Sequence, residues 1–373
     1  MTNMRLVGID EQIVVETGAK YGFTDGTIVD NKPGVTLSNG TKVVVFEKPG
    51  MPVYMRAAFF SGSRFDPQHK DGTSHFLEHM LVAGSDKFPT KDKLAAHIEK
   101  YGGSLGASTG SEVMSINSAV GDPQDLKIGF EGMHEMILAS LFNKNTTETE
   151  RGSILKELGD KKSNPSEMLW TVYRRLFFQG TDAGRSILGS EESIKSITHD
   201  DLLQFYKDKF TSRRMALVVS GGTTIDEVKD LAEKHLLITN GSKPNTPNML
   251  PLHRENEVSI EQYQGRDQVH IAFGFRTASS FHPDNATLDV IAEVLGGGRA
   301  SSLSRKLRLE KGLVYSVNAW SLESTDAGAW IVKTSTSKDN AQEVTTIITD
   351  EVKRVLDKGL TKEEVMFAQN KIV

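Results

Sequence analysis

His75 and His79 stand four apart in the run Thr73-Ser74-His75-Phe76-Leu77-Glu78-His79-Met80-Leu81, with Glu78 directly before the second histidine. On a helix, residues four apart project from one face, so both imidazoles can reach one metal ion. Glu78 then lies close enough to address a metal-bound water without being a ligand. The pattern His-x-x-Glu-His inverts the commoner His-Glu-x-x-His arrangement of zinc peptidases. Phe76, Leu77, Met80 and Leu81 mark this as a helix to be buried. A buried helix must satisfy its polar groups, and a metal ion does so for two histidines and a glutamate. The competing reading, exposed histidines beside a solvated carboxylate, sits poorly with those apolar flanks. Ser74 or Thr73 is placed to cap the helix start, and Gly84 to end it.

A third ligand must come from another element. Thr147-Glu148-Thr149-Glu150 reads as a capping box, so a helix is expected to start there and run through Glu157. Glu150 and Glu157 are two turns apart on one face, with Ile154 between them. Glu157 could complete a His2Glu set that leaves the fourth position to water, as in catalytic zinc sites. Glu150 could hydrogen-bond a ligand histidine and fix its tautomer. By their own spacing these two glutamates would read as a solvated helix face, and only the histidine motif promotes them. The expected cofactor is Zn2+.

These residues resemble the inverzincin metallopeptidases, the family that includes pitrilysin, insulin-degrading enzyme and mitochondrial processing peptidase. The likeness extends from about residue 35 to residue 373. It takes in Thr36 to Val44, Gly62-Ser63, Gly72-Thr73-Ser74, Gly102 to Thr109, Glu150 to Glu157, Gly189 to Ile194 and Leu217 to Gly221. The resemblance implies that His75, His79 and Glu157 are zinc ligands, Glu78 the catalytic base and Glu150 a supporting glutamate. It implies that residues 104–109 form an edge strand whose Gly106, Ala107, Ser108 and Thr109 meet the substrate. It also implies that Arg308 and Tyr315, seven apart, reach across an interdomain cleft to the substrate and the developing oxyanion. Alone, that pair would be a surface cation and a core tyrosine. One residue departs from the pattern: Gly106 stands where the family usually has asparagine, a side chain associated with substrate binding.

The implied function is a zinc metalloendopeptidase that hydrolyses short unfolded peptides with a Glu-activated, zinc-bound water. The peptide would lie as an added strand inside a closing two-domain chamber. The alternative is a non-catalytic peptide-binding or assembly subunit on the same fold, though the chain keeps every zinc residue. A metal hydrolase acting on a non-peptide substrate is a third class. The implied assembly is a homodimer, or a heterodimer with a related subunit.

The elements that must position these residues alternate along the chain. Asn39-Gly40 between apolar runs signals a hairpin. Strands are expected at Val53 to Phe60, Glu112 to Val120 and 215–220, and a helix from Thr90 to Tyr101, stopped by Gly102. Asp122-Pro123 should open a long helix through Leu141. Further helices are expected near 165–178, 198–208 and 284–295, and Thr361-Lys362-Glu363-Glu364 is another capping box. Residues 240–256 are polar and turn-rich. The organisation expected is an N-terminal extension (1–34), a zinc-binding domain (35–239), a linker (240–256) and a second, related domain (257–373) that looks incomplete at its C-terminus. Phe65-Asp66-Pro67 is echoed by Phe281-His282-Pro283, which suggests a weak internal repeat with metal only in the first copy. Gly296-Gly297-Gly298 lacks the Lys-Ser/Thr of a phosphate loop and reads as a turn near the cleft. The fold class expected is α+β, two homologous layered domains, each a mostly antiparallel sheet packed with helices.

Composition agrees with a globular enzyme. Of 373 residues, 38% are apolar and 25% charged. A net charge of −5 gives no reason to expect nucleic acid or an anionic membrane as partner. No cysteine is present, so thiolate ligands and disulfides are excluded. No apolar run is long enough for a membrane span. The acidic residues among the first 34 argue against a mitochondrial transit peptide, and a cytoplasmic location is the expectation.

Overall fold

The computed structural model describes residues 23–24, 27–28, 34–179, 181–244, 259–260 and 267–372. In chain order, β1 (Gly34–Thr36), β2 (Lys42–Glu47) and β3 (Val53–Phe59) precede helices α1 (Thr73–Val82) and α2 (Lys91–Glu99). Strands β4 (Ser104–Thr109) and β5 (Met114–Val120) lead into α3 (Leu126–Ile137), α4 (Lys144–Lys162) and α5 (Pro165–Phe177). Then come α6 (Glu191–Ser196), α7 (His199–Lys209), β6 (Met215–Gly221) and α8 (Ile225–His235). The remainder holds β7 (Gln268–Thr277), α9 (Asn285–Gly296), β8 (Val317–Glu323), β9 (Gly328–Ser337), α10 (Ala341–Lys358) and α11 (Lys362–Ile372).

Two compact units result. The first joins Asn31–Ser163 to Phe178–Asn245. Its sheet has the order β1-β2-β6-β3-β5-β4, which leaves β4 on an edge. All neighbours are antiparallel except β2 and β6. Those two strands lie far apart in sequence, so no hairpin dictates their direction. Along β3 the pleat sends Val53, Met55, Ala57 and Phe59 inward and leaves Tyr54 and Arg56 exposed. The inward face meets Phe76, Leu77, Met80 and Leu81 of α1 and Phe130 and Met133 of α3, all fully buried. Each such side chain contributes roughly 1.5–3 kcal/mol on burial. The hairpin at Asn39-Gly40 forms as expected, with the Leu37 amide donating to the Thr41 carbonyl (2.9 Å) and Gly40 at φ +90°.

The helix expected from Asp122 to Leu141 is shorter. Pro123–Asp125 is a 3-10 turn, α3 starts at Leu126, and the helix ends at Ile137. Beyond it the chain is claimed by tertiary bonds, Ser140 Oγ to the Met80 carbonyl (2.8 Å) and the Leu141 amide to the Gly84 carbonyl (2.9 Å).

The second unit joins Asn164–Phe177 to Thr246–Val373. Helix α5 therefore leaves the 35–239 domain to which its sequence position assigned it. The reason is packing: Trp170 meets Trp320 of β8 (ring centroids 5.2 Å apart), and the Phe177 carbonyl accepts from Arg276 Nε of β7 (3.0 Å). The antiparallel sheet β8-β9-β7 and helices α9 and α10 enclose a separate core of Leu288, Ile291, Leu295, Trp330, Val344 and Ile348. The capping box at α11 is present: the Thr361 amide donates to Glu364 Oε2 (2.8 Å), and the Glu364 amide donates to Thr361 Oγ1 (3.2 Å). Most of the expected linker and N-terminal extension lies outside the described residues. Among the described residues no helix is long and apolar enough to cross a membrane.

Candidate metal centre

The start of α1 is built by residues before and far after it. Neither Ser74 nor Thr73 caps the helix. Both lie within it, and Thr73 Oγ1 donates to the Lys70 carbonyl (2.7 Å). Asp66 does the capping instead: its two carboxylate oxygens accept the amides of Gly72 (2.7 Å) and Ser74 (2.8 Å). Burial raises the Asp66 carboxyl to about 7, against the pull of those amides and of Arg185. Gly72 has φ +95°, and a Cβ there would meet Ile194 Cδ1 at 2.6 Å. Arg185 holds the loop from the other side, donating to the carbonyls of Asp66 and Pro67 and to the Asp71 carboxylate. Ser193 Oγ donates to the Asp71 carbonyl (2.7 Å), and a Cβ on Gly189 (φ +72°) would sit 2.1 Å from that same oxygen. Residues 185–193 are thus a clamp on the approach to α1.

Helix α4 starts one turn before the expected capping box. Asn143 is the cap, its Oδ1 accepting the Thr146 amide (2.8 Å). Thr147 is buried inside the helix and donates to the Asn143 carbonyl (3.0 Å). A competent cap upstream outranks the Thr147 signal. Arg151 joins the helices, its guanidinium 5.2 Å from the ring of Phe76 on α1 and bonded to the Ile194 carbonyl.

Between α1 and α4 the candidate ligands converge. Glu157 Oε2 lies 3.5 Å from His79 Nε2 and 3.7 Å from His75 Nε2. One ligand atom from each of the three residues falls within 4.8 Å of the other two. A tetrahedral zinc with bonds of about 2.0–2.1 Å holds its donors about 3.4 Å apart, so the set fits that ion. His79 Nδ1 donates to Glu150 Oε2 (2.9 Å), which directs the His79 Nε2 lone pair toward Glu157. His75 lacks such a partner at Nδ1 among the described residues. Burial, with the charges of His79 and Lys161, pushes the His75 imidazole down to about 3, which keeps it in the neutral, ligating form.

Glu78 is held from the sheet. Thr109 Oγ1, at the end of β4, donates to Glu78 Oε2 (2.6 Å). Burial raises the Glu78 carboxyl above the usual carboxylate range. The Thr109 bond and the charge of His79 lower it in part, and Glu157 adds to the rise. Thr109, expected to meet substrate, thus also sets the position of Glu78. Gly106, Ala107 and Ser108 lie along the same edge strand, paired with Asn117, Ile116 and Ser115.

In the second unit, Arg308 lies on a π-helical segment, Ser304–Glu310, with its guanidinium 4.9 Å from the ring of Tyr315. Tyr315 is 81% exposed rather than a core residue. Gly297 follows the end of α9, and Gly298 has φ +138°, a turn as expected. Sequence reasoning missed Asp66, Arg151 and Arg185. Nothing in their local spacing announces long-range bonds, although Asp66 stands in the echoed tripeptide.

Residues 43–191 match the family described as Insulinase (Peptidase family M16), and residues 196–372 match the Peptidase M16 inactive domain. An uncharacterized zinc protease of Streptomyces coelicolor is 25% identical over 343 residues, which cover 88% of this chain and 73% of that protein. The human mitochondrial-processing peptidase subunit beta is 29% identical over 322 residues, covering 83% of this chain and 65% of the relative. A protease from Helicobacter pylori superposes with a TM-score of 0.85 at 18% identity, covering 92% of this chain and 84% of the other. Pitrilysin superposes with a TM-score of 0.67 at 20% identity over 91% of this chain and 38% of the other, so these two structures share its fold. With both halves of the chain matched by descriptions of one family, the protein belongs to peptidase family M16.

Proposed function

We propose that the protein is a zinc metalloendopeptidase acting on short unfolded peptides. The observation that carries this is the convergence of His75, His79 and Glu157 beside a buried, oriented Glu78. Zinc bound by those three residues would polarise the scissile carbonyl and let water lose a proton near neutral pH. Glu78 takes the proton of the attacking water and passes it to the leaving amine. Its raised affinity for a proton suits it to both transfers. Thr109 keeps the carboxylate from swinging away between them. Glu150 fixes the tautomer of His79. Arg308 and Tyr315 supply, by the family resemblance, donors for the developing oxyanion. The peptide lies along β4, whose outer edge is unpaired among the described residues and offers backbone donors and acceptors to an added strand. The protein acts as a homodimer, or with a related subunit.

The test compares the parent chain with Glu78→Gln on a mixed library of unstructured peptides, read by mass spectrometry. The substitution spares the ligands and removes the base. Cleavage by the parent alone supports the mechanism. Equal cleavage by both rejects Glu78 as base, and no cleavage by either favours the peptide-binding subunit.

A further inference from the structure

The face of the first sheet turned away from α1 and α3 carries an arrangement that the hydrolytic machinery does not use. Gly106 of β4, Asn117 of β5 and Arg56 of β3 are direct cross-strand neighbours, so their side-chain positions form one row running inward from the sheet edge. Val218 of β6 continues it. With Tyr54 and Ser104 these residues line a trough of about 490 Å³. Arg56 is exposed, and its Nε donates to Asn117 Oδ1 (2.8 Å). That bond lays the guanidinium over β5, toward Gly106. No carboxylate of a described residue pairs with it. A planar fork of donors left open toward a trough suits a carboxylate.

Gly106 is the informative member. Glycine weakens a strand interior, and it often marks the close approach of a ligand. Its φ is not in the left-handed region, and a Cβ there would meet nothing within 4 Å. Neither backbone nor packing asks for a glycine at this position. What its missing side chain does is leave the row open from the strand edge to Arg56.

We propose that the Gly106–Asn117–Arg56 row is a specificity site that takes the carboxylate of a glutamate in the bound peptide. The inference rests on the peptide lying along β4, as in the function proposed above. A peptide strand added there puts alternate side chains on this face. The residue opposite Gly106 lies about 14 Å, three strand spacings, from the Arg56 backbone. An arginine already leaning outward and an extended glutamate close that gap between them, whereas aspartate is one carbon short. In the antiparallel direction the peptide runs from the Thr109 end of β4 toward Ser104. Thr109 holds Glu78, so the selected glutamate follows the scissile bond.

The experiment captures unstructured peptides from a random library on the zinc-loaded Glu78→Gln chain and sequences what is retained. Glutamate should be enriched over glutamine at one register by about tenfold, the size of one charge-assisted contact. Arg56→Gln and Gly106→Asn should each remove the enrichment, the first by deleting the charge and the second by closing the row. Arg56→Glu should reverse it in favour of lysine and arginine. Circular dichroism checks that each variant is folded. Retained peptides with no glutamate preference, a preference that survives Arg56→Gln, or no retained peptide at all overturns the site. Glutamate capture by a chain whose parent cuts nothing keeps this site and rejects the peptidase reading, so the two fail separately.

Discussion

Helix α1 follows Phe65-Asp66-Pro67 and α9 follows Phe281-His282-Pro283. Counted from the two phenylalanines, Ile291, Val294 and Leu295 stand where His75, Glu78 and His79 do. The three apolar residues are buried, two of them in the core of their own unit. They need nothing beyond packing. The three polar residues of α1 need partners, and these come from elsewhere: Glu150 and Glu157 from α4, Thr109 from β4. The start of the helix differs as well. Asp66 caps α1 with two backbone bonds from a buried carboxylate, while at α9 His282 Nδ1 accepts the Asp284 amide (3.2 Å) near the surface. A helix that buries ionisable groups is embedded in a long-range network. A helix that buries hydrocarbon can be locally finished.

The largest expected effect comes from giving α1 the chemistry of α9. In His75→Ile/His79→Leu, bound zinc measured by mass spectrometry of the purified protein should fall from one equivalent to none. The melting temperature without metal should equal or exceed that of the chelator-treated parent, because a partnerless buried imidazole nitrogen gives way to hydrocarbon. Retention of one zinc by the variant rules out the histidines as ligands.

The metal-free parent should also lose stability in acid in a way the variant does not. His75 titrates at about 3 in the folded chain and at its ordinary value near 6.5 when unfolded. Between those values the unfolded chain binds the extra proton, so stability falls as pH is lowered from about 6.5 toward 3. The full effect is of order 5 kcal/mol. Urea titrations of the chelator-treated parent and of His75→Ile across this range isolate it as a difference. Parallel pH profiles would mean that His75 is not held neutral.

Next in size is Glu150→Gln, which removes a charge from the Nδ1 side of His79 and leaves all three candidate ligands in place. Zinc affinity by competition with a chelator should drop about 10–100-fold, the usual cost of losing an orienting partner. An unchanged affinity would show that packing alone orients His79.

What could be read in advance divides along the same line. The pairing of His75 with His79 and the facing of Glu150 and Glu157 are consequences of helical spacing, and the hydrophobic pattern marked the strands and helices around them. Three things escaped. Helix α4 begins at Lys144 because Asn143 caps it before Thr147 can. Helix α5 lies with the second unit because its aromatic face finds Trp320, a partner 150 residues beyond Trp170. The cap of α1 comes from Asp66 because Arg185 and the Gly189 turn hold that loop in place. In each case a distant or competing partner decided between locally plausible outcomes, and local pattern carries no record of it. Gly106 was legible only as a departure from a family pattern. Its meaning needed the register that sets it beside Asn117 and Arg56.

The two helix starts allow the smallest effect to be tested. Asp66→Asn keeps the shape of the cap, but its single carbonyl oxygen accepts one of the two amides and turns a donor toward the other. At pH 8, where the parent carboxyl is ionised, this should cost about 1–2 kcal/mol, the range found for lost caps and for buried donors left unpaired. His282→Ala removes one long, solvent-accessible bond at α9 and should cost a few tenths of a kcal/mol, as surface polar changes do. Urea unfolding at fixed pH compares the two. Similar costs would mean that the Asp66 cap is no more embedded than the His282 one, and the contrast between the helices would then reside in their buried residues alone. A loss at Asp66 accompanied by weaker zinc binding would tie the cap to the metal centre, because fraying the first turn of α1 moves His75, which sits in that turn.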